Sequence, residues 1–167
     1  MRPALAILAL AACLAACSKP APPQGRWEGG YSGGGTMVAA RVEVEADGQV
    51  RVSAPDITSL ENAKPEILQQ NRDKLATDLA SGWDGVAPRP LDFDGKTFRK
   101  PGGIAPQMVW DKSTNQMTLE IFIGANPALP VPLRPVENFH DDPWASASGV
   151  SPRNGLADHF ERRAPRA

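Results

Sequence analysis

Cysteine is missing from everything past residue 17: the chain holds two, Cys13 and Cys17. That removes an internal disulfide, a thiolate nucleophile and a cysteine-based metal site from the body of the protein. Histidine is scarce too, with only His140 and His159. Neither sign of charge is in excess: 18 Lys and Arg face 19 Asp and Glu, for a net charge of -1. Such a chain lacks the basic surface that phosphate contacts require, which argues against a nucleic-acid partner. Its longest apolar run, residues 4–14, is too short to span a bilayer as a helix. Proline and glycine, by contrast, are plentiful at 17 and 15. They point to turns and extended segments rather than a helix bundle. A hydrophobic content of 41% in 167 residues is enough for the core of one domain.

The N-terminal segment has one early charge, Arg2, then the apolar run, then small residues before a cysteine. This is the layout of a cleaved export signal. Leu14-Ala15-Ala16-Cys17 resembles the lipobox of bacterial lipoproteins. The resemblance implies removal of residues 1–16 and acylation of Cys17 with a diacylglyceryl group and a palmitate-type N-acyl chain. Three chains bury enough methylene groups for stable anchorage, where one is marginal. Leu10-Ala11-Ala12-Cys13 fits the same pattern but leaves a very short signal, so Cys17 is the expected lipidation site. Ser18, where an aspartate would retain such a lipoprotein at the inner membrane, implies the outer membrane, facing the periplasm.

Residues 17–24 then read as the lipidated cysteine and a proline-rich spacer, Lys19-Pro20-Ala21-Pro22-Pro23-Gln24, which holds a domain off the bilayer. Residues 25–138 carry the β pattern. Val38, Ala40, Val42 and Val44 alternate with Arg41, Glu43 and Glu45, and Val50 and Val52 resume the alternation after an Asp47-Gly48 turn. One segment changes period. Ile67, Leu68, Leu75, Leu79 and Trp83 recur at helical spacing after Pro65, predicting an amphipathic helix over roughly 65–81 with Gly82 as C-cap. Turn signals at Asp94-Gly95 and Ser113-Thr114-Asn115 separate further strands, the last apolar set being Leu119, Ile121 and Ile123. Pro130, Pro132 and Pro135 make the final strand an edge or a sheet-closing element. Residues 139–167 lose the pattern and read as a flexible tail, with a short helix at 156–163. The fold class is therefore mainly β: an antiparallel meander of about eight strands forming a small barrel or curved sheet, with one inserted helix that caps or plugs it.

Gly25-Arg26-Trp27 on the first strand, with Arg134 near the end of the last, resembles the calycin (lipocalin-like) signature. The resemblance implies a structural pair in which Trp27 closes one barrel end beneath the Arg134 guanidinium. The run from Gly25 to Val136 is also similar to the β-domain that precedes the catalytic domain of some bacterial serine hydrolases. It shares the Gly-x-Trp-x-Gly opening, Pro90-Leu91-Asp92-Phe93-Asp94-Gly95 and Leu129-Pro130-Val131-Pro132-Leu133-Arg134. Neither likeness transfers a functional residue.

Candidate chemistry is thin. Gly33-Gly34-Gly35 lacks the following helix and Lys-Ser/Thr of a phosphate loop and reads as a hairpin. Asp92, Asp94 and Gly95 match a fragment of a calcium loop without its remaining ligands. His140-Asp141-Asp142 is the densest polar cluster, but it lies in the expected tail and shows no third or fourth metal ligand. No Gly-x-Ser-x-Gly elbow accompanies either histidine. Arg153, Arg162, Arg163 and Arg166 make the C-terminus basic, suited either to anionic envelope material or to a solvated tail. Trp27, Trp83, Trp110 and Trp144 either line a cavity or fill the core. No cofactor, metal or catalytic residue is expected. The expectation is a non-catalytic lipoprotein, anchored in the outer membrane, whose barrel binds an apolar or amphipathic small molecule. The alternative is a module that holds or inhibits an envelope protein, with a hydrolase last.

Overall fold

Strands form where apolar residues alternate and break where aspartate, asparagine and glycine allow tight turns. The computed structural model describes residues 19–122 and 128–144. Along the chain run β1 (Gly25–Gly33), β2 (Thr36–Val44), β3 (Gln49–Ser53), β4 (Asp56–Thr58), helix α1 (Pro65–Gly82), β5 (Arg89–Pro90), β6 (Asp92–Phe93), β7 (Thr97–Arg99), β8 (Pro106–Asp111), β9 (Gln116–Ile121) and β10 (Leu129–Val136). All pairings are antiparallel, in the order β5-β3-β2-β1-β10-β9-β8-β7-β6, and β4 pairs with β2 above β3. The two edge strands, β5 and β6, are separated in sequence by Leu91 alone. The sheet therefore curls until its edges meet, giving a nearly closed barrel of nine strands.

The final strand pairs with the first and stands in the middle of the sheet, joining its two halves, while the edges that meet are β5 and β6. β10 pairs with β9 over Leu129–Leu133 and with β1 over Arg134–Val136, so its ladder changes partner midway. The short strands β4 and β5 bring the total to ten, above the expected eight.

Turns sit where glycine or asparagine supplies positive φ. Gly34 and Gly35, at +56° and +72°, turn β1 into β2 at what we call the upper end. Asn115, at +51°, turns β8 into β9 at the lower end. There its carbonyl accepts a hydrogen bond from Trp27 Nε1 and its side-chain oxygen one from Trp110 Nε1, both at 3.0 Å. These two bonds tie the lower rim together.

Inward-facing Trp27, Val42, Val50, Phe98, Met108, Met117 and Leu133, each 2% exposed or less, form one contiguous core inside the barrel. A second cluster lies outside it. Met37 and Ala39 on the outer face of β2 meet Leu75 and Leu79 of α1, together with Trp144. The helix thus covers the barrel wall and does not plug its mouth. Its buried stripe omits Ile67, which is 45% exposed. Gly82 is right-handed (φ -85°) and leads into a 3₁₀ turn, Trp83–Gly85, instead of capping the helix in a left-handed conformation.

Residues 139–144 depart from the expected tail. They turn back up the outer face of β1 and end with Trp144 only 8% exposed. The physical cause lies in Gly30: a Cβ there would stand 2.1 Å from Trp144 Nε1, so only glycine lets the indole lie on the strand.

Candidate functional site

Where α1, β1 and β2 meet residues 139–144, the structure gathers its most unusual polar groups. Glu28 faces outward from β1, yet it is fully buried beneath the returning chain. Across the strands it pairs in register with Arg41, which is 4% exposed. Arg41 Nε lies 3.8 Å from Glu28 Oε2. Glu28 Oε2 also accepts the backbone N–H of His140 at 3.0 Å, and its other oxygen contacts His140 Nδ1. Arg41 Nη2 donates to the carbonyl of His140. Burial lowers the Arg41 pKa, while Glu28 and Asp141 oppose the shift.

Aromatic rings flank this pair. Phe139 lies 5.1 Å beneath the Arg41 guanidinium and 5.6 Å from that of Arg26, and Trp83 meets its edge at 4.7 Å. Arg72 of α1 stacks over Trp144 at 5.0 Å and pairs with Asp142 at 3.2 Å. Chemically, the arrangement fastens a chain segment to the barrel. The Glu28 carboxylate is enclosed on all sides and offers nothing to a substrate. The His140 cluster singled out in the sequence is therefore part of a latch, which the sequence could not indicate because Glu28 and Arg41 lie about a hundred residues away.

The other singled-out residues fall as follows. Trp27 shares the inner face with Val42 and Pro135, whereas Arg134 is in register with Glu28 on the alternate, outer face. The register thus sets the two residues of the expected Trp27–Arg134 pair on alternate faces of the sheet. Asp94 is consumed by its own turn, accepting the amides of Lys96 and Thr97 at 2.9 and 2.7 Å and the Arg99 guanidinium. Those donors hold its carboxyl down at about 2. Asp92 faces Lys19. Trp110 packs against the barrel core. Cys13, Cys17, Ile123, His159 and the C-terminal arginines lie outside the described residues. Among the described residues no group of three His, Cys, Asp or Glu side chains is placed to hold a metal ion. None of the described helices is long and apolar enough to cross a membrane.

The surface offers two contrasting ends. At the lower end an open cleft of about 750 Å³ is lined by Arg26, Glu43, Glu45, Arg51 and Glu137. These charges pair with one another, Arg26 with Glu43 at 2.8 Å and Arg51 with Glu45 at 2.7 Å. Such a lining suits no apolar ligand. At the upper end the 100–105 loop and the exit of β9 carry Ile104 and Phe122, 94% and 51% exposed. Their placement at one rim follows from the register of β8 against β9. Sequence patterning missed this pair because an isolated apolar residue beside a strand carries no periodic signal.

Comparison with protein-family models, with curated proteins and with solved structures finds no match for this chain.

Proposed function

We propose that this protein is a non-catalytic interaction module of the bacterial envelope, anchored in the outer membrane through a lipid on Cys17 and docking a protein partner at its upper rim. The observation that carries the reading is the occupied barrel. Trp27, Phe98, Met108, Met117 and Leu133 fill the space where a carrier would hold its ligand. With apolar surface spent inside, the large apolar side chains left to a partner at the rim are Ile104 and Phe122. Exposed apolar groups with polar surroundings are typical of protein-docking sites. The lipobox resemblance supplies the compartment.

The test is site-specific photocrosslinking in intact cells, with a photoreactive residue at position 104, 122 or 112 in turn. Position 112, in the turn after β8, lies at the lower end. The reading expects the same discrete protein adduct from 104 and 122 and none from 112. Absence of an adduct at both rim positions would reject it.

A further inference from the structure

The proline-rich spacer is not a free tether in this structure. Pro22 lies over Gly48 in the β2–β3 turn, where a Cβ on the glycine would meet its ring at 3.4 Å. Pro20 lies over Gly95 in the β6–β7 turn at 3.5 Å, and Lys19 faces Asp92 at 3.8 Å. The β2–β3 turn leads into β3, beside edge strand β5, and the β6–β7 turn follows edge strand β6. The spacer therefore crosses the one seam of the barrel at its lower end. It flanks a cleft of about 360 Å³ whose floor includes Pro90, Leu91 and Phe93.

We infer that the lower end of the barrel rests directly on the headgroup layer of the bilayer, with the upper rim held away from it. The inference rests on the proposed anchor at Cys17. Only one residue, Ser18, separates that cysteine from Lys19. Two residue steps span at most about 7 Å even when fully extended. A lipid on Cys17 thus brings Lys19, the Asp94-Gly95 turn and the neighbouring lower turns to the membrane surface. Strand β1, nine residues long, has a contour of about 30 Å, so the upper rim stands well clear of the headgroups. Prolines stiffen the spacer, and the Pro20 and Pro22 contacts fix where it leaves the domain. The lower turns mix both signs, with Lys96 and Lys112 near Asp47, Asp94 and Asp111. Short tethering, not attraction to anionic lipid, sets the orientation.

The experiment uses the full protein purified from bacterial membranes, its N-terminal mass determined first, then placed in nanodiscs containing a gadolinium-chelating headgroup lipid. Paramagnetic broadening is read amide by amide by NMR. The inference expects loss of the signals of residues 94–96 and 112–115, with those of 33–36 and 100–105 retained. Equal broadening at both ends would overturn it, since the domain would then tumble on a free tether. Stronger broadening at the upper end would overturn it as well. An N-terminal mass without lipid on Cys17 would remove the anchor itself, and the mass alone shows that this is the premise that failed.

Discussion

Glu28 and Arg41 are the residues whose chemistry is furthest from what their positions in sequence suggest. Each sits on the polar side of an alternating strand, and each is buried because residues 139–144 and α1 cover that side. Removing one partner leaves the other charge buried and uncompensated, which costs about 3 kcal/mol or more. We therefore expect Arg41→Ala to lower the urea midpoint strongly. The double replacement Glu28→Leu with Arg41→Met should recover much of the loss, because no charge is then left stranded. A second residue-scale expectation concerns Gly30. Gly30→Ala should expel Trp144, seen as a red shift of tryptophan emission with the barrel itself intact. A third concerns acid. The Asp94 carboxyl is held at about 2 in the folded chain, below its ordinary 3.8, by Arg99 and two turn amides. Its contribution is therefore full above the unfolded value and is lost as pH falls from about 4 through 2. Asp94→Asn should flatten the pH dependence of the melting temperature in that window and leave the neutral range flat.

At the scale of elements, the segment 139–144 is held by many contacts yet incompletely satisfied. Arg41 Nε, Arg72 Nε and Trp144 Nε1 are buried donors with no hydrogen-bond partner among the described residues. Each such group costs about 1–3 kcal/mol relative to a satisfied one. The segment should therefore open before the barrel does. Native-state hydrogen exchange should show the amides of 140–144 exchanging through a local opening while those of β1, β2 and β10 need global unfolding. Equal protection would contradict this. The long elements were legible in the sequence because period and turn chemistry agree: β2, the Asp47-Gly48 turn and the helix starting at Pro65 all stand where alternation and helical spacing put them. Strands β4 and β5 were not, since two or three residues carry no period; β6, equally short, was legible only through the Asp94-Gly95 turn that follows it. Nor was the latch: His140, Asp142 and Trp144 look like tail because their partners, Glu28, Arg72 and Gly30, are distant in sequence. The outward side of Arg134 follows from the register of β10 on β1, which no local pattern fixes.

Taken as a whole molecule, the barrel turns its large apolar side chains inward. The close approach of the two edges on either side of Leu91 and the tying of the lower rim through Asn115 produce a nearly closed barrel, and large side chains pack inside it. The barrel was legible from the count of hairpins, whereas its filled interior depends on which faces meet. An external helix and a returning chain thicken one wall and leave the rim with Ile104 and Phe122 free. The central claim is thus that nothing resides inside the barrel. Native mass spectrometry of the protein released gently from membranes tests it most directly. The account expects the mass of the lipidated chain alone, unchanged by unfolding. A reproducible additional small mass, retained in the folded protein and lost on unfolding, would contradict it and make the barrel a carrier.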